Sequence, residues 1–131
     1  MIALDTSSLL HYFAGSNGDD VEAVDAAFAQ SQACLPPTVI AEVLSAPNVS
    51  PALERALLEI PALDVTPGFW VRAGRLRARV IGAGHKAKLA DTLIAQACLD
   101  HRVPLVTRDL DFRHFASAGL VLIPALPTSR R

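Results

Sequence analysis

The chain has 131 residues, of which 51% are hydrophobic and 19% are charged, and its formal net charge is −1. This composition is typical of one compact domain spanning residues 1–131 and excludes an intrinsically disordered chain. It also excludes a uniformly electropositive surface, so any binding of nucleic acid must come from a local basic patch or a metal ion. Aromatic residues make up only 5%, which argues against a platform that stacks several bases.

The first half of the chain alternates short apolar runs with helical patterns. An apolar run over 2–4 predicts a strand that ends in a polar cluster at 5–8. Glycines and prolines then separate the elements that follow. In chain order we predict helices over 9–14 and from 19 onward, a strand over 33–35, and helices over 38–46 and 51–59.

The second half continues the same alternation. We predict a strand over 63–66, helices over 67–81 and 88–101, and strands over 104–107 and 120–123. Short apolar strands separated by helices predict an α/β fold with a parallel sheet between helical layers. No linker divides the chain, and no internal repeat is present.

Neither secretion nor membrane insertion is indicated. The first residues lack a basic segment, and Asp5 would interrupt any apolar leader. No apolar run approaches the roughly 20 residues that a membrane span needs. Cys34 and Cys98 lie in small apolar surroundings without the spacing of a zinc site, so we expect buried thiols in a cytoplasmic protein.

Four carboxylates interrupt or directly follow apolar stretches in separate parts of the chain. A carboxylate beside a core is costly unless a cation or a hydrogen-bond donor meets it, and no Lys or Arg is embedded in these stretches. Parallel sheets bind ligands at the carboxyl ends of their strands, where the chain order changes direction, so all four can converge there. The four residues are Asp5, Glu42, Asp91 and Asp109.

Such a cluster favours a hard divalent cation. Oxygen ligands without His or Cys indicate Mg²⁺ or Mn²⁺ rather than zinc. The chemistry suited to these ions is hydrolysis of a phosphodiester, with either one or two ions bound.

Each acid also has an ordinary structural explanation. Asp5 could cap the following helix, and Glu42 could face solvent. Asp91 could cap its helix or pair with Lys88, and Asp109 could stabilise a turn. Only their combination favours a metal site.

The basic residues are less informative. Lys86 and Lys88 could reach a phosphate or simply lie at a solvated helix start. Arg72, Arg75 and Arg79 recur at helical spacing, which is typical of a solvated face and also compatible with contact to RNA or a partner protein.

The histidines and aromatic residues suggest no site. The histidines form no ligand pair at helical spacing, and we expect structural or surface roles for His11, His85, His101 and His114. We expect the core or a subunit interface to contain Tyr12, Phe13, Phe69 and Trp70.

Four stretches together resemble the PIN-domain ribonucleases, and among them the VapC-type toxins of bacterial toxin–antitoxin pairs. They are Ile2–Ser7, Thr38–Glu42, Leu89–Ala95 and Leu105–Phe112. The resemblance implies a three-layer α/β/α sandwich with a five-stranded parallel sheet. It implies cleavage of single-stranded RNA with Mg²⁺ or Mn²⁺, a small cognate antitoxin that blocks the active site, and a homodimer.

The resemblance also implies roles for individual residues. The family's acidic metal-binding quartet matches Asp5, Glu42, Asp91 and Asp109. Ser7 matches a polar residue that helps hold the first acid, and Thr107 matches a hydroxyl beside the fourth. Asp111 is also available as the fourth ligand; we choose Asp109 and expect Asp111 to be an outer-shell acceptor or a helix N-cap.

Two other functions are compatible with the same residues. A non-catalytic module of this fold could use the acids for structure or assembly. A phosphatase is less favoured, because no Asp-x-Asp pair follows the first strand and no glycine-rich loop could cradle a phosphate.

Overall fold

Short parallel strands and longer helices alternate through residues 1–125, the part of the chain that the computed structural model describes. The strands are β1 (Ile2–Leu4), β2 (Ala33–Cys34), β3 (Leu105–Val106) and β4 (Leu122–Ile123). The helices are α1 (Thr6–Phe13), α2 (Asp19–Ala29), α3 (Pro37–Leu44), α4 (Pro51–Leu58), α5 (Phe69–Gly82) and α6 (Leu89–His101). A 3₁₀ helix over Leu110–Ala118 precedes β4.

The sheet has the order β2-β1-β3-β4, and every pair is parallel. The chain moves from β1 to β2 on one side and later adds β3 and β4 on the other. The strand order therefore changes direction between β1 and β3, which opens a crevice at their carboxyl ends. The predicted α/β fold with a parallel sheet flanked by helices is confirmed.

The described residues form four strands rather than the five that were predicted. In place of a strand over 63–66 there is one parallel bridge between Leu35 and Ala62. Two hydrogen bonds of 2.8 Å hold it, from the Leu35 amide to the Pro61 carbonyl and from the Leu63 amide to the Leu35 carbonyl. Pro61 has no amide proton to extend the ladder. Beyond Leu63 the side chains are exposed, so no buried face stabilises a longer strand.

The core surrounds β1 and α6. Ala3 and Leu4 of β1 have no exposed surface, and neither do Leu105 and Val106 of β3. Both pairs are covered on two faces, as the near-continuous apolar runs of parallel strands predict. In α6, Ile94 to Cys98 are all buried, so this helix lies inside the domain between α3 and α5.

Local signals explain most helix ends. The Ser50 hydroxyl accepts a hydrogen bond from the Leu53 amide at 3.1 Å and caps α4, whose first residue is Pro51. Helix α5 begins at Phe69 rather than at Pro67, because Gly68 has φ 82°, a left-handed conformation that a helix cannot include.

The predictions for the cysteines and aromatic residues are partly confirmed. Cys34 and Cys98 are free, buried thiols, and burial raises the pKa of Cys34 to about 11. Phe69 is buried, but Trp70 is 64% exposed and is not a core residue. Within residues 1–125 no helix combines the length and apolarity needed to cross a membrane.

Helix α4 offers a matched pair for testing this core. Leu57 has no exposed surface, whereas its neighbour Leu58 is 59% exposed. We expect Leu57→Ala to lower the free energy of unfolding by about 2–5 kcal/mol, because it removes buried apolar contacts and leaves a cavity. Leu58→Ala should change it by no more than about 0.5 kcal/mol. Urea unfolding measures both; equal losses would contradict the described packing of α4.

Candidate active site

The crevice at the strand ends is lined by residues that directly follow β1 and β3. Ala3 pairs with Leu105 and Leu4 with Val106, so the two strands end at the same level. The Asp5 amide then donates to the Val106 carbonyl at 2.9 Å and extends the ladder by one residue. The side chains after the two strands therefore face a common space.

Asp5 is the most buried of these acids, with 4% of its surface exposed. Its Oδ2 atom accepts hydrogen bonds from Ser7 Oγ at 2.7 Å and from Thr107 Oγ1 at 2.8 Å. Asp5 occupies the N-cap position of α1, but its side chain makes no capping hydrogen bond. Its carboxylate is therefore directed to the crevice residues, as the proposed supporting roles of Ser7 and Thr107 require.

Thr107 connects Asp5 to the two acids of the later loop, Asp109 and Asp111. Its hydroxyl donates to Asp5 and accepts from the Asp109 amide at 3.0 Å. Asp109 Oδ1 in turn accepts from the Asp111 amide at 2.9 Å, so Asp109 caps the 3₁₀ helix. Of the two roles expected for Asp111, that of helix N-cap is wrong, because Asp109 accepts the hydrogen bond from the amide two residues ahead. The turn-stabilising role considered for Asp109 is real, and it leaves Oδ2 outside that bond.

Three carboxylates meet closely in front of this turn. One oxygen from each of Asp91, Asp109 and Asp111 lies within 4.8 Å of the others. Asp91 is in the first turn of α6, where the helix N-terminus favours a negative charge. Both candidates for the fourth ligand are thus beside Asp91, and the choice of Asp109 over Asp111 stays a prediction.

Glu42 reaches the same region from α3 but lies outside this group of three. Its Oε1 atom accepts a hydrogen bond from Thr6 Oγ1 at 2.6 Å. It is half-buried rather than fully solvated, and its charge contributes to raising the pKa of both Asp5 and Asp91. Thr6 was not predicted as a site residue; its only signal was its place in the polar cluster after β1.

The acids interact strongly because little compensates their charge. Burial raises the pKa of Asp91 to about 6, the charges of Asp109 and Asp5 add to the rise, and Lys88 partly opposes it. Burial also raises the pKa of Asp5 against the opposing effect of its two hydroxyl donors. The pairing with Lys88 that was considered as an ordinary explanation for Asp91 does not occur as an ion pair in the described residues. In the described part of the chain the ion pairs are Arg72–Asp100 and Arg108–Asp20.

The donor set fits a hard divalent cation. It consists of carboxylate oxygens from four elements of the fold, without sulfur or imidazole ligands, and the closest three converge within reach of one ion. Burial is the main cause of the raised pKa of Asp91, and the repulsion from Asp109 and Asp5 that adds to it is what such an ion would relieve.

The loop that carries Thr107 and Asp109 is anchored by the residue between them. Arg108 Nε donates to Asp20 Oδ2 at 2.8 Å, and its Nη2 donates to Asp20 Oδ1 at 3.0 Å. Asp20 is only 5% exposed. Burial alone would raise the pKa of Asp20, but the hydrogen bonds to its carboxylate, led by those from Arg108, and the charge of Arg108 together lower it. This pair joins the acidic loop to the start of α2, and its only signal in the sequence is the pair of acids that opens the helix.

Other sequence predictions have mixed outcomes. Arg72 differs from Arg75 and Arg79 because it forms an ion pair with Asp100 at 2.7 Å, although 41% of its side chain is exposed. His11 Nδ1 lies 2.7 Å from the Ser7 carbonyl and has a structural contact. His85 and His114, for which structural or surface roles were expected, stack with ring centroids 4.4 Å apart.

The raised pKa of Asp91 predicts a pH-dependent stability. The folded protein holds this proton more tightly than the unfolded chain, whose Asp titrates near 3.8, so the free energy of unfolding from this group falls as pH rises to above 6. In EDTA we expect Asp91→Asn to be more stable than wild type at pH 8, by about 1–3 kcal/mol. The difference should shrink towards pH 4. Urea unfolding across this range measures it.

The exposed Asp64 provides the control for that experiment. Asp64→Asn should leave the pH dependence of stability unchanged. A destabilised Asp91→Asn protein at pH 8 would mean that Asp91 holds the fold together, contrary to the repulsion described.

The Arg108–Asp20 pair predicts a rescue. Arg108→Gln leaves the buried Asp20 charge without its partner and should lower the free energy of unfolding by about 1–3 kcal/mol. Adding Asp20→Asn removes the stranded charge and should restore a large part of the loss. Urea unfolding of both variants, with the exposed Arg75→Gln as control, measures this; a double variant no more stable than the single one would show that the pair is not coupled.

Comparisons with known proteins identify a family and several similar structures. A family model described as the PIN domain matches residues 2–118. No curated protein matches the chain. Similar solved structures include FitAcB from Neisseria gonorrhoeae, with 20% identity, a TM-score of 0.68, and coverage of 93% of this chain and 96% of that one.

Two further similar structures carry the name VapBC. VapBC2 from Rickettsia felis, bound to a DNA fragment from its promoter, has 18% identity, a TM-score of 0.71, and coverage of 93% of this chain and 97% of that one. VapBC-5 from Mycobacterium tuberculosis, of the VapBC family of toxin–antitoxin systems, has 19% identity, a TM-score of 0.69, and coverage of 93% and 96%. At these identities the likeness is one of fold. Because the family model spans most of the sequence, the chain belongs to the PIN domain family.

Proposed function

We propose that this protein is a Mg²⁺- or Mn²⁺-dependent endoribonuclease and the toxin of a toxin–antitoxin pair. The observation that supports this most directly is the convergence of the acids at the sheet's switch point, where no Lys or Arg of residues 1–125 forms an ion pair with them. Membership of the PIN domain family and the likeness to structures from toxin–antitoxin systems agree with it.

The ion would be held by carboxylates that are already close together. Asp91, Asp109 and Asp111 each offer an oxygen within 4.8 Å of the other two, and the charges of Asp5 and Glu42 also act on Asp91. When bound, Mg²⁺ or Mn²⁺ supplies charge stabilisation at the phosphoryl oxygens and acidifies the attacking water.

The surrounding groups would keep these ligands in position. Ser7 and Thr107 both donate to Oδ2 of Asp5, so Oδ1 is left outside these two hydrogen bonds. Thr6 restrains Glu42 in the same way. Because the pKa of Asp91 is about 6, its protonated form competes with a cation at mildly acidic pH. Activity is therefore expected to fall as the pH drops through 6.

The proposed function implies an RNA substrate and a protein partner. The substrate would be single-stranded RNA in the cytoplasm, and a small cognate antitoxin would cover the acidic crevice. The structures named VapBC and FitAcB support an antitoxin partner. A homodimer, and a single domain that includes all of residues 1–131, stay predictions; residues 126–131 lie outside the described part of the chain.

Loss of a ligand should abolish cleavage without unfolding the protein. Antitoxin-free protein should cut the single-stranded segments of a structured RNA in Mg²⁺ or Mn²⁺. Asp5→Asn and Asp91→Asn should each reduce the rate of cleavage by more than about 100-fold, since even outer-shell partners of a metal ligand contribute about 10–100-fold. Thr107→Ala should lose about 10–100-fold and Thr107→Ser should recover most of it. Asp64→Asn is the matched control, and end-mapping of the RNA reports the cuts.

The outcomes separate catalysis from the alternative of a binding or assembly module. Variants that cut like wild type would show that these residues are not the catalytic ones. A folded wild-type protein that binds Mn²⁺ without cutting any RNA would favour the non-catalytic module.

A further inference from the structure

A second cavity, of about 550 Å³, lies between α5 and the 3₁₀ helix. Its polar lining is basic or neutral: Arg79 on α5, His85 just after α5, and Arg113, His114 and Ser117 on the 3₁₀ helix. None of the described residues that line it is Asp or Glu. In a protein whose net charge is −1, this is a local concentration of positive charge. The cavity is therefore suited to an anionic ligand.

His85 and His114 form one side of the cavity. Their rings stack at 4.4 Å with an angle of 17° between the planes, which joins the loop after α5 to the 3₁₀ helix. Burial lowers the pKa of His114, and His85 and Arg113 lower it further. His114 therefore adds little positive charge at neutral pH, and the two arginines of the cavity carry theirs throughout.

These arginines are available to a ligand. The ion pairs among residues 1–125 involve Arg72 and Arg108, so no carboxylate there occupies Arg79 or Arg113. One nitrogen of Arg113, Nη1, donates to the Leu110 carbonyl at 2.9 Å, which orients the guanidinium and leaves its other donors outside that bond. A fixed guanidinium with free N–H groups is well suited to bind phosphate oxygens.

The cavity adjoins the acidic crevice. Asp111 and His114 are three residues apart in the same 3₁₀ helix, where side chains at this spacing lie on one side, about 6 Å apart along the axis. Asp111 is close enough for its charge to act on His114. Buried Leu76 and Val80 of α5 form an apolar part of the lining.

We propose that this cavity is a subsite for a phosphate-bearing nucleotide of the RNA, next to the nucleotide at the acidic centre. The proposal rests on the proposed ribonuclease function and deepens it. Arg79 and Arg113 would bind the phosphate, and the Ser117 hydroxyl would offer a further donor. An acidic centre alone repels an RNA backbone, and a cationic subsite one helical turn away would hold the strand in register for cleavage.

The test measures RNA binding separately from cleavage. With EDTA present to prevent cutting, the fluorescence anisotropy of a labelled single-stranded oligoribonucleotide gives the affinity of each variant. Arg79→Gln and Arg113→Gln should each weaken binding about tenfold, since each removes a charge-assisted hydrogen bond. Each should also reduce the slope of log affinity against log salt by about 0.7, the value for one phosphate contact with a single strand.

A matched control and a kinetic readout complete the design. Arg75→Gln removes an exposed arginine of the same helix that does not line the cavity, and should bind RNA like wild type. In Mn²⁺, Arg79→Gln should raise KM by a larger factor than it lowers kcat. A general structural defect would instead lower the melting temperature and affect both constants.

The result that overturns the subsite is distinct from the one that overturns the enzyme. If Arg79→Gln and Arg113→Gln bind RNA like the Arg75→Gln control while Asp91→Asn abolishes cleavage, the ribonuclease stands and the subsite is wrong. If they retain RNA binding but lose a co-expressed acidic antitoxin, the cavity is a protein contact and the subsite is likewise wrong. Weakened RNA binding combined with unimpaired cleavage by Asp91→Asn would support the subsite and reject the catalytic assignment.

Discussion

Strands β1 and β3 are neighbours in the sheet although about a hundred residues separate them in the chain, and the geometry of the crevice depends on their pairing. With Leu4 opposite Val106, Asp5 and Thr107 leave the sheet at the same level, and the Thr107 hydroxyl can donate to Asp5 at 2.8 Å. The same hydroxyl accepts from the Asp109 amide. A shift of one residue in this register would turn the side chains to opposite faces and separate the acids.

The gathered carboxylates oppose folding, whereas the apolar core supports it. Hydroxyl donors satisfy Asp5 and Glu42, but they do not neutralise charge. Burial, with repulsion from Asp109 and Asp5 added to it, raises the pKa of Asp91 to about 6. Stability lost in this way is typical of a functional site, where the arrangement serves a ligand rather than the fold. A hard dication is the ligand that would convert this repulsion into binding energy.

Positive charge is arranged around this centre without cancelling it. Arg108 forms an ion pair with Asp20 and so anchors the loop that carries Thr107 and Asp109. Arg79 and Arg113 line a separate cavity beside the 3₁₀ helix. Keeping the cations outside hydrogen-bond range of the acids preserves the negative potential that attracts a metal ion. It also leaves a basic surface for the phosphates of a nucleic acid, in a protein whose overall charge would otherwise repel them.

The sequence by itself determined the elements whose signals are local. Apolar runs at 2–4 and 104–107 predicted β1 and β3, the acid after each run marked the strand ends, and Ser50-Pro51 marked the start of α4. The tertiary structure alone decided the rest. In place of the strand expected at 63–66 there is a single bridge, because no buried face stabilises a longer one. Arg108 pairs with Asp20, which lies 88 residues away in the chain. The His85–His114 stack likewise depends on how α5 packs against the 3₁₀ helix. Periodicity and capping act over a few residues, whereas these contacts depend on which distant segments the core brings together.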